Sequence, residues 1–285
     1  MKTILDFTLF TLSHAKKDSV PEGAMLPIPV AEVGSAGEWE YLFGTTGHKI
    51  TKTLLNTKFT SYYEKNGWTR AAYDALTAGW IGRVACDCQG LHDKFCGIDI
   101  NADMHYKTCT DTGEVNASDH YEIGECMFID KGGKKTHVGW VVGYTPDGDE
   151  VIVEERGIRY GCVLTKRSER PWTHHGKSTQ YLDYSEPVAL YTPEPVTFKV
   201  GDSGGDVVAL QTFLAGMNYC DQNGKPLEID GKLGKKTWYA LTTFASAHVE
   251  AAEGIDIEAA AMLTLDNADK YTICVFRTDD LPKEV

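Results

Sequence analysis

The chain has 285 residues, 42% hydrophobic and 24% charged, a length and composition that suit a globular protein with a sizeable core and room for two domains. Its net charge of −13 excludes partners held by bulk positive charge, nucleic acid first among them: residues 196–285 carry 8 basic and 14 acidic side chains, leaving 20 and 27 for the rest. No apolar run approaches membrane-spanning length, so no membrane insertion is expected.

In chain order, residues 1–36 are expected to be irregular, with Pro21, Pro27 and Pro29 marking extended or turning backbone. The first fifteen residues imitate a secretory leader, but Asp6 and three threonines interrupt the apolar stretch, whose alternation looks more like a strand. Ile50, Leu54, Leu55, Phe59, Tyr62 and Tyr63 recur at helical spacing, and Trp68, Ala72, Leu76 and Trp80 follow at intervals of four. Two helices are therefore predicted before Cys88, with a third beginning just after it. The stretch from Asp99 to Glu122 is polar without a period and is expected to be a long loop.

From Glu125 the pattern changes. Cys126-Met127-Phe128-Ile129, the segment around His137 and the run Glu150 to Glu154 are separated by the turns Asp130-Lys131-Gly132-Gly133 and Thr145 to Asp149, which predicts an antiparallel meander. Helices followed by such strands predict an α+β domain over residues 37–190. Two prolines at 193 and 195 suggest a linker over 191–198, and residues 199–285 then form a second domain. There, amphipathic helices are expected at 206–218 and 235–250, with a closing strand over 271–276.

The eight cysteines, at 86, 88, 96, 109, 126, 162, 220 and 274, lack the paired spacing of a disulfide scaffold, and reduced thiols are expected. Cys88 is the candidate nucleophile. A helix starting at Gln89 would lower its pKa, and the helix's first N–H groups could stabilise an oxyanion. His137, on a strand whose Gly139 leaves room beside the imidazole, is the candidate base. Glu154, on the next strand and with Glu155 beside it, could fix the histidine tautomer. Each also has a structural reading: a buried thiol, a satisfied strand histidine and a solvated strand charge. A competing use of the same region is zinc binding by Cys86, Cys88, His92, Cys96 and Cys109, although one residue between the first two cysteines is short for a structural site.

Several segments match one known pattern in order: Glu40-Tyr41-Leu42-Phe43-Gly44, Asp87-Cys88-Gln89-Gly90-Leu91, His137-Val138-Gly139 with Val142-Gly143, Val151 to Val163, and Arg170-Pro171-Trp172-Thr173-His174. Over about residues 37–185 the chain resembles the NlpC-type cysteine peptidases of bacterial cell walls, in the form found in phage endolysins. That resemblance implies a papain-like fold, with Cys88 as nucleophile, His137 as base and Glu154 as third residue, where the family most often has histidine. It further implies Tyr41, Gln89 and His174 as substrate-binding residues; Gln89 replaces the family's usual serine and is expected to reshape the mouth of the site. No cofactor is required by this chemistry. Val200 to Gln211 and Asp230-Gly231-Lys232-Leu233-Gly234-Lys235-Lys236-Thr237 resemble the two signatures of a three-helix peptidoglycan-binding module.

The implied function is an endolysin that cleaves an amide in the stem peptide of bacterial peptidoglycan. Such a protein waits in the host cytoplasm for a holin, or is secreted or carried in the virion. An N-acetylmuramoyl-L-alanine amidase using the same site, or a non-catalytic wall-binding or virion protein, are the alternatives.

Overall fold

The computed structural model describes residues 2–191, 196–198, 200–248 and 273–275. Two compact units divide the chain, Met1–Tyr191 and Thr192–Val285.

The first unit opens with a short strand, β1 (Lys2–Thr3), leading into helix α1 (Ile4–His14), where irregular or strand-like backbone was expected. Thr3 caps this helix, accepting from the Asp6 N–H at 3.1 Å and donating to the Asp6 carboxylate at 2.8 Å. Ile4, Phe7, Thr8, Thr11 and Leu12 form the buried face at helical spacing. The hydroxyls that seemed to interrupt the apolar stretch are satisfied inside the helix: Thr8 donates to the Ile4 carbonyl and Thr11 to that of Thr8, both at 2.9 Å. A threonine that donates to its own helix can be buried at little cost.

Strands β2 (Glu40–Tyr41), β3 (His48–Lys49) and β4 (Val84–Cys86) form a small sheet with β4 central, parallel to β2 and antiparallel to β3. Between β3 and β4 lie α2 (Lys52–Lys58), which continues through a wider turn at Phe59–Tyr63, and α3 (Arg70–Thr77). Leu55, Phe59, Tyr63, Tyr73 and Trp80 bury their rings and methyls against Leu42 and Ile50. After Cys88 come α4 (Gly90–Cys96) and α5 (Ala102–Thr108), then β5 (Thr110–Glu114). The predicted long loop is therefore partly regular. Asn101 caps α5 by accepting from the Met104 N–H at 2.9 Å. The residues of β5 are mostly exposed at a sheet edge, so no apolar period announces them.

The main sheet adds β6 (Cys126–Lys131), β7 (Lys134–Tyr144), β8 (Glu150–Glu155), β9 (Cys162–Lys166) and β10 (His174–Lys177). Its six strands run in the order β5-β10-β6-β7-β8-β9 and are antiparallel throughout. A last short strand, β11 (Leu182–Asp183), pairs in parallel with β1. Alternation along the strands makes two apolar faces. Phe128, Val138, Trp140, Val153 and Leu164 pack with Phe7 and Leu12 of α1 and Leu91 of α4. Met127, Ile129, Val141 and Ile152 pack with Tyr121, Ile123 and Trp172 on the other side. The unit is a mixed α and β structure compatible with the α+β class.

In the second unit β12 (Val196–Phe198) pairs antiparallel with β13 (Ile273–Val275), beside helices α6 (Gly205–Gly216) and α7 (Lys235–His248). The expected strand ends at 271, 272 and 276, and the expected helix end at 249–250, lie outside the described residues. Leu210, Leu214, Leu233, Trp238 and Leu241 centre its core. The two sequence signatures meet at Gln211, whose amide donates to Asp230, to the Lys232 carbonyl and to Thr237 at 2.9–3.1 Å and accepts from the Gly231 N–H at 2.8 Å. They hold one turn against two helices. Among the described residues no helix is long and apolar enough to cross a membrane.

Candidate active site

Cys88 sits in the turn between β4 and α4, and its neighbour Asp87 pins that turn. The Asp87 carboxylate accepts from the Gly44 N–H at 2.9 Å and from those of Gln89 and Gly90 at 3.1 and 3.0 Å. Gly90 is required by close approach: a Cβ there would lie 2.5 Å from the Thr45 carbonyl oxygen and 2.6 Å from the Cys86 Cβ. The helix begins at Gly90, one residue later than expected, and Asp87 takes the N–H groups of Gln89 and Gly90. Burial, then the Asp87 carboxylate, push the Cys88 thiol up to about 12, against the opposing pull of the Val138 and Gln89 N–H groups. The helix start does not ionise this sulfur, contrary to the expectation from sequence. A base must.

The N–H of Val138 directed at the sulfur places Cys88 beside the residue that follows His137. Pairing between β7 and β8 begins at Trp140, two residues further on. His137 projects from the face opposite Val138, and its Nε2 lies 2.6 Å from Glu154 Oε2. Glu154 is fully buried and also accepts from Thr165 Oγ1 at 2.8 Å and from Arg170 through Nε at 2.8 Å and a terminal nitrogen at 3.0 Å. Burial disfavours the carboxylate, but the His137 hydrogen bond and charge, followed by those of Arg170, outweigh it and hold Glu154 below its ordinary pKa. Trp172 lies nearly parallel to the imidazole, at 5.7 Å and 16°. The room left by Gly139 is filled: a Cβ there would meet Ile152 at 2.7 Å and Trp172 at 3.0 Å.

With Nε2 committed to Glu154, Nδ1 of His137 has no hydrogen-bond partner among the described residues. Nor does a hydrogen bond join it to Cys88 there. Tyr41 faces the same sulfur from β2. Its phenol pKa is raised by burial and then by the Cys88 and Asp87 charges, and no hydrogen bond engages its hydroxyl among the described residues.

The two neighbouring glutamates separate by strand parity. Glu155 points into the core, accepts from the Cys86 thiol at 3.1 Å and has its pKa raised by burial, and strand alternation leaves Glu154 to meet the histidine.

Two expected substrate residues are corrected. Gln89 does not line the mouth. It is 3% exposed and joins a closed ring of hydrogen bonds. Its Nε2 donates to Asp93 at 3.0 Å and faces His92 Nδ1 at 3.2 Å; His92 Nε2 and His105 Nε2 both meet Ser178 Oγ, at 3.0 and 2.8 Å; His105 Nδ1 returns to Gln89 Oε1 at 3.1 Å. Three short polar contacts satisfy an amide that water would otherwise have to solvate. His174 is in register with Phe128, itself opposite Val138, so it shares their face and not that of His137; its ring packs on Tyr106 at 5.5 Å.

Arg170 and Trp172 were not singled out as site residues, although the Arg-Pro-Trp-Thr-His run that carries them was the available signal. The five-residue zinc set also disperses, with Cys86 on Glu155 and Cys96 3.5 Å from His92, and none of its members other than Cys109 belongs to the one three-donor group among the described residues. The seven described cysteine side chains are free thiols.

No protein-family model matches the chain, and neither the curated proteins nor the solved structures contain a match to it.

Proposed function

We propose that the protein is a cysteine hydrolase that cleaves an amide bond in peptidoglycan stem peptides, built on a papain-like NlpC-type domain. The observation that carries this reading is the clamp on His137: a buried, ionised Glu154 takes Nε2 and leaves Nδ1 unspent beside the segment whose Val138 amide touches the Cys88 sulfur. The thiol proton passes to Nδ1, and the thiolate attacks the amide carbonyl carbon. The Tyr41 hydroxyl is the candidate donor to the resulting oxyanion. The imidazolium then protonates the departing amine as the C–N bond breaks. Water, deprotonated by the same imidazole, cleaves the thioester and restores the thiol. Arg170 and Trp172 hold Glu154 and the imidazole in place.

The choice of peptidoglycan rests on the motif resemblance in both units. The second unit, proposed as a three-helix wall-binding module, raises the local concentration of the enzyme on an insoluble substrate. An amidase acting at the lactyl-alanine bond uses the same chemistry and is the second reading. Mass spectrometry of fragments released from defined peptidoglycans identifies the bond through its new termini. Release is expected from the parent and not from Cys88→Ala, which should still sediment with purified walls. Equal release by both proteins would remove the hydrolase reading.

A further inference from the structure

Away from Cys88 and His137, a second group of reactive side chains converges: His105 on α5, Cys109 just after it, and Cys126 at the start of β6. One donor atom of each lies within 4.8 Å of the other two. His105 and Cys126 are buried, whereas Cys109 is half-buried and offers a route from solvent.

Three features of the surroundings suit a bound cation. Space is made for the sulfurs by β10, where Gly176 stands opposite Cys126 and a Cβ would come 3.0 Å from that of Cys109. The indole Nε1 of Trp140 is buried, with the Cys126 sulfur as its only neighbour able to accept among the described residues and not in full hydrogen-bond geometry. An indole N–H is a poor match for a thiol and a good one for a thiolate, so deprotonating Cys126 supplies the missing acceptor. The hydrogen-bond ring also orders the protons on His105. Because Asp93 accepts only, Gln89 presents Nε2 there and its carbonyl oxygen to His105, which must donate through Nδ1. The Nε2 lone pair, which accepts from the Ser178 hydroxyl at 2.8 Å, becomes a ligand once that side chain moves aside, with the opposite N–H on an amide carbonyl, the contact that orients metal-bound histidines.

We propose that His105 Nε2, Cys109 Sγ and Cys126 Sγ bind one thiophilic divalent cation of the zinc class. Two thiolates balance its charge, an imidazole completes the soft donor set, and a fourth position is open to water. Both thiol protons leave to solvent on binding, and the Ser178 side chain rotates off His105 Nε2, because its oxygen at 2.8 Å stands where the cation must sit. The cation joins α5 to β6 across β10, and through Gln89 it braces the turn that carries Cys88. Its binding does not depend on the proposed hydrolysis.

The test is a titration of the full chain, stripped with chelator, first with Co2+ and then with Zn2+. One Co2+ per chain with a thiolate-to-metal charge-transfer band is expected, displaced by Zn2+, unchanged in Cys88→Ala and weakened by about a hundredfold or more in Cys109→Ser. Absence of the band, its persistence in Cys109→Ser, or its loss in Cys88→Ala overturns the proposal. Should Cys109→Ser fail to fold, alkylation of the parent decides: Zn2+ must protect Cys109 from iodoacetamide, as mapped by peptide mass, and unprotected Cys109 is a negative result.

Discussion

Two sets of histidines flank the Cys88 turn, and they are built in opposite ways. His137 is partly exposed, holds an ionised carboxylate with one ring nitrogen and keeps the other unspent. His92 and His105 are fully buried, and each spends both nitrogens within the ring closed by Gln89 and Ser178. Burial drives His92 down to about 3 and His105, with some help from His92, well below the ordinary histidine range. The difference teaches that a histidine's use as a proton acceptor is decided by its uncommitted nitrogen and by the charge of its partner. A carboxylate stands behind His137, whereas a neutral amide and a hydroxyl surround the others.

The largest expected effect tests the first half of this contrast. The Cys88 thiol stands at about 12 with His137 in place, so it needs a proton acceptor to react at pH 7; losing the proposed one in His137→Ala should slow Cys88 alkylation by about a thousandfold, within the range for a general base. Iodoacetamide kinetics with peptide mapping measure this, and a profile matching the parent's would break the assignment.

Next comes the clamp. Glu154→Ala strands Arg170 and His137 and should cost about 3 kcal/mol at pH 7, in the range for breaking a buried ion pair. Because the folded pKa of Glu154 is depressed, its stabilisation is full above the ordinary carboxylate range and is lost as pH falls through the folded value. Denaturant unfolding should therefore show the gap between parent and variant closing in acid.

The ring has its own pH signature. Its histidines have lowered folded pKa values, so the unfolded chain binds more protons below about 6.5. Stability should fall by about 1.4 kcal/mol per pH unit for each, from pH 6.5 downward. His105→Gln should roughly halve that slope in unfolding curves taken between pH 7 and 5. A slope untouched by the change would place the acid sensitivity elsewhere. The smallest effect is at Tyr41, whose unbonded hydroxyl contributes little to folding. Tyr41→Phe should leave stability within about 0.5 kcal/mol and slow the proposed hydrolysis about tenfold.

What the amino-acid order determined by itself was local. Apolar periodicity marked the helices before Cys88 and the meander after Glu125, and the alternation along β7 and β8 set the faces on which His137 and Glu154 lie. The same local signal failed for α1, whose threonines hide their hydroxyls in its own backbone, for α5, whose buried face includes the polar His105, and for β5, whose residues are mostly exposed. Only the tertiary structure decided which nitrogen His137 spends, that Arg170 grips Glu154, that Gln89 turns inward, that His174 lies on the other sheet face, and that His105, Cys109 and Cys126 meet. Each of those depends on strand register and on contacts between segments far apart in the chain, and a hydrogen-bond partner so distant leaves no mark in the spacing of its neighbours.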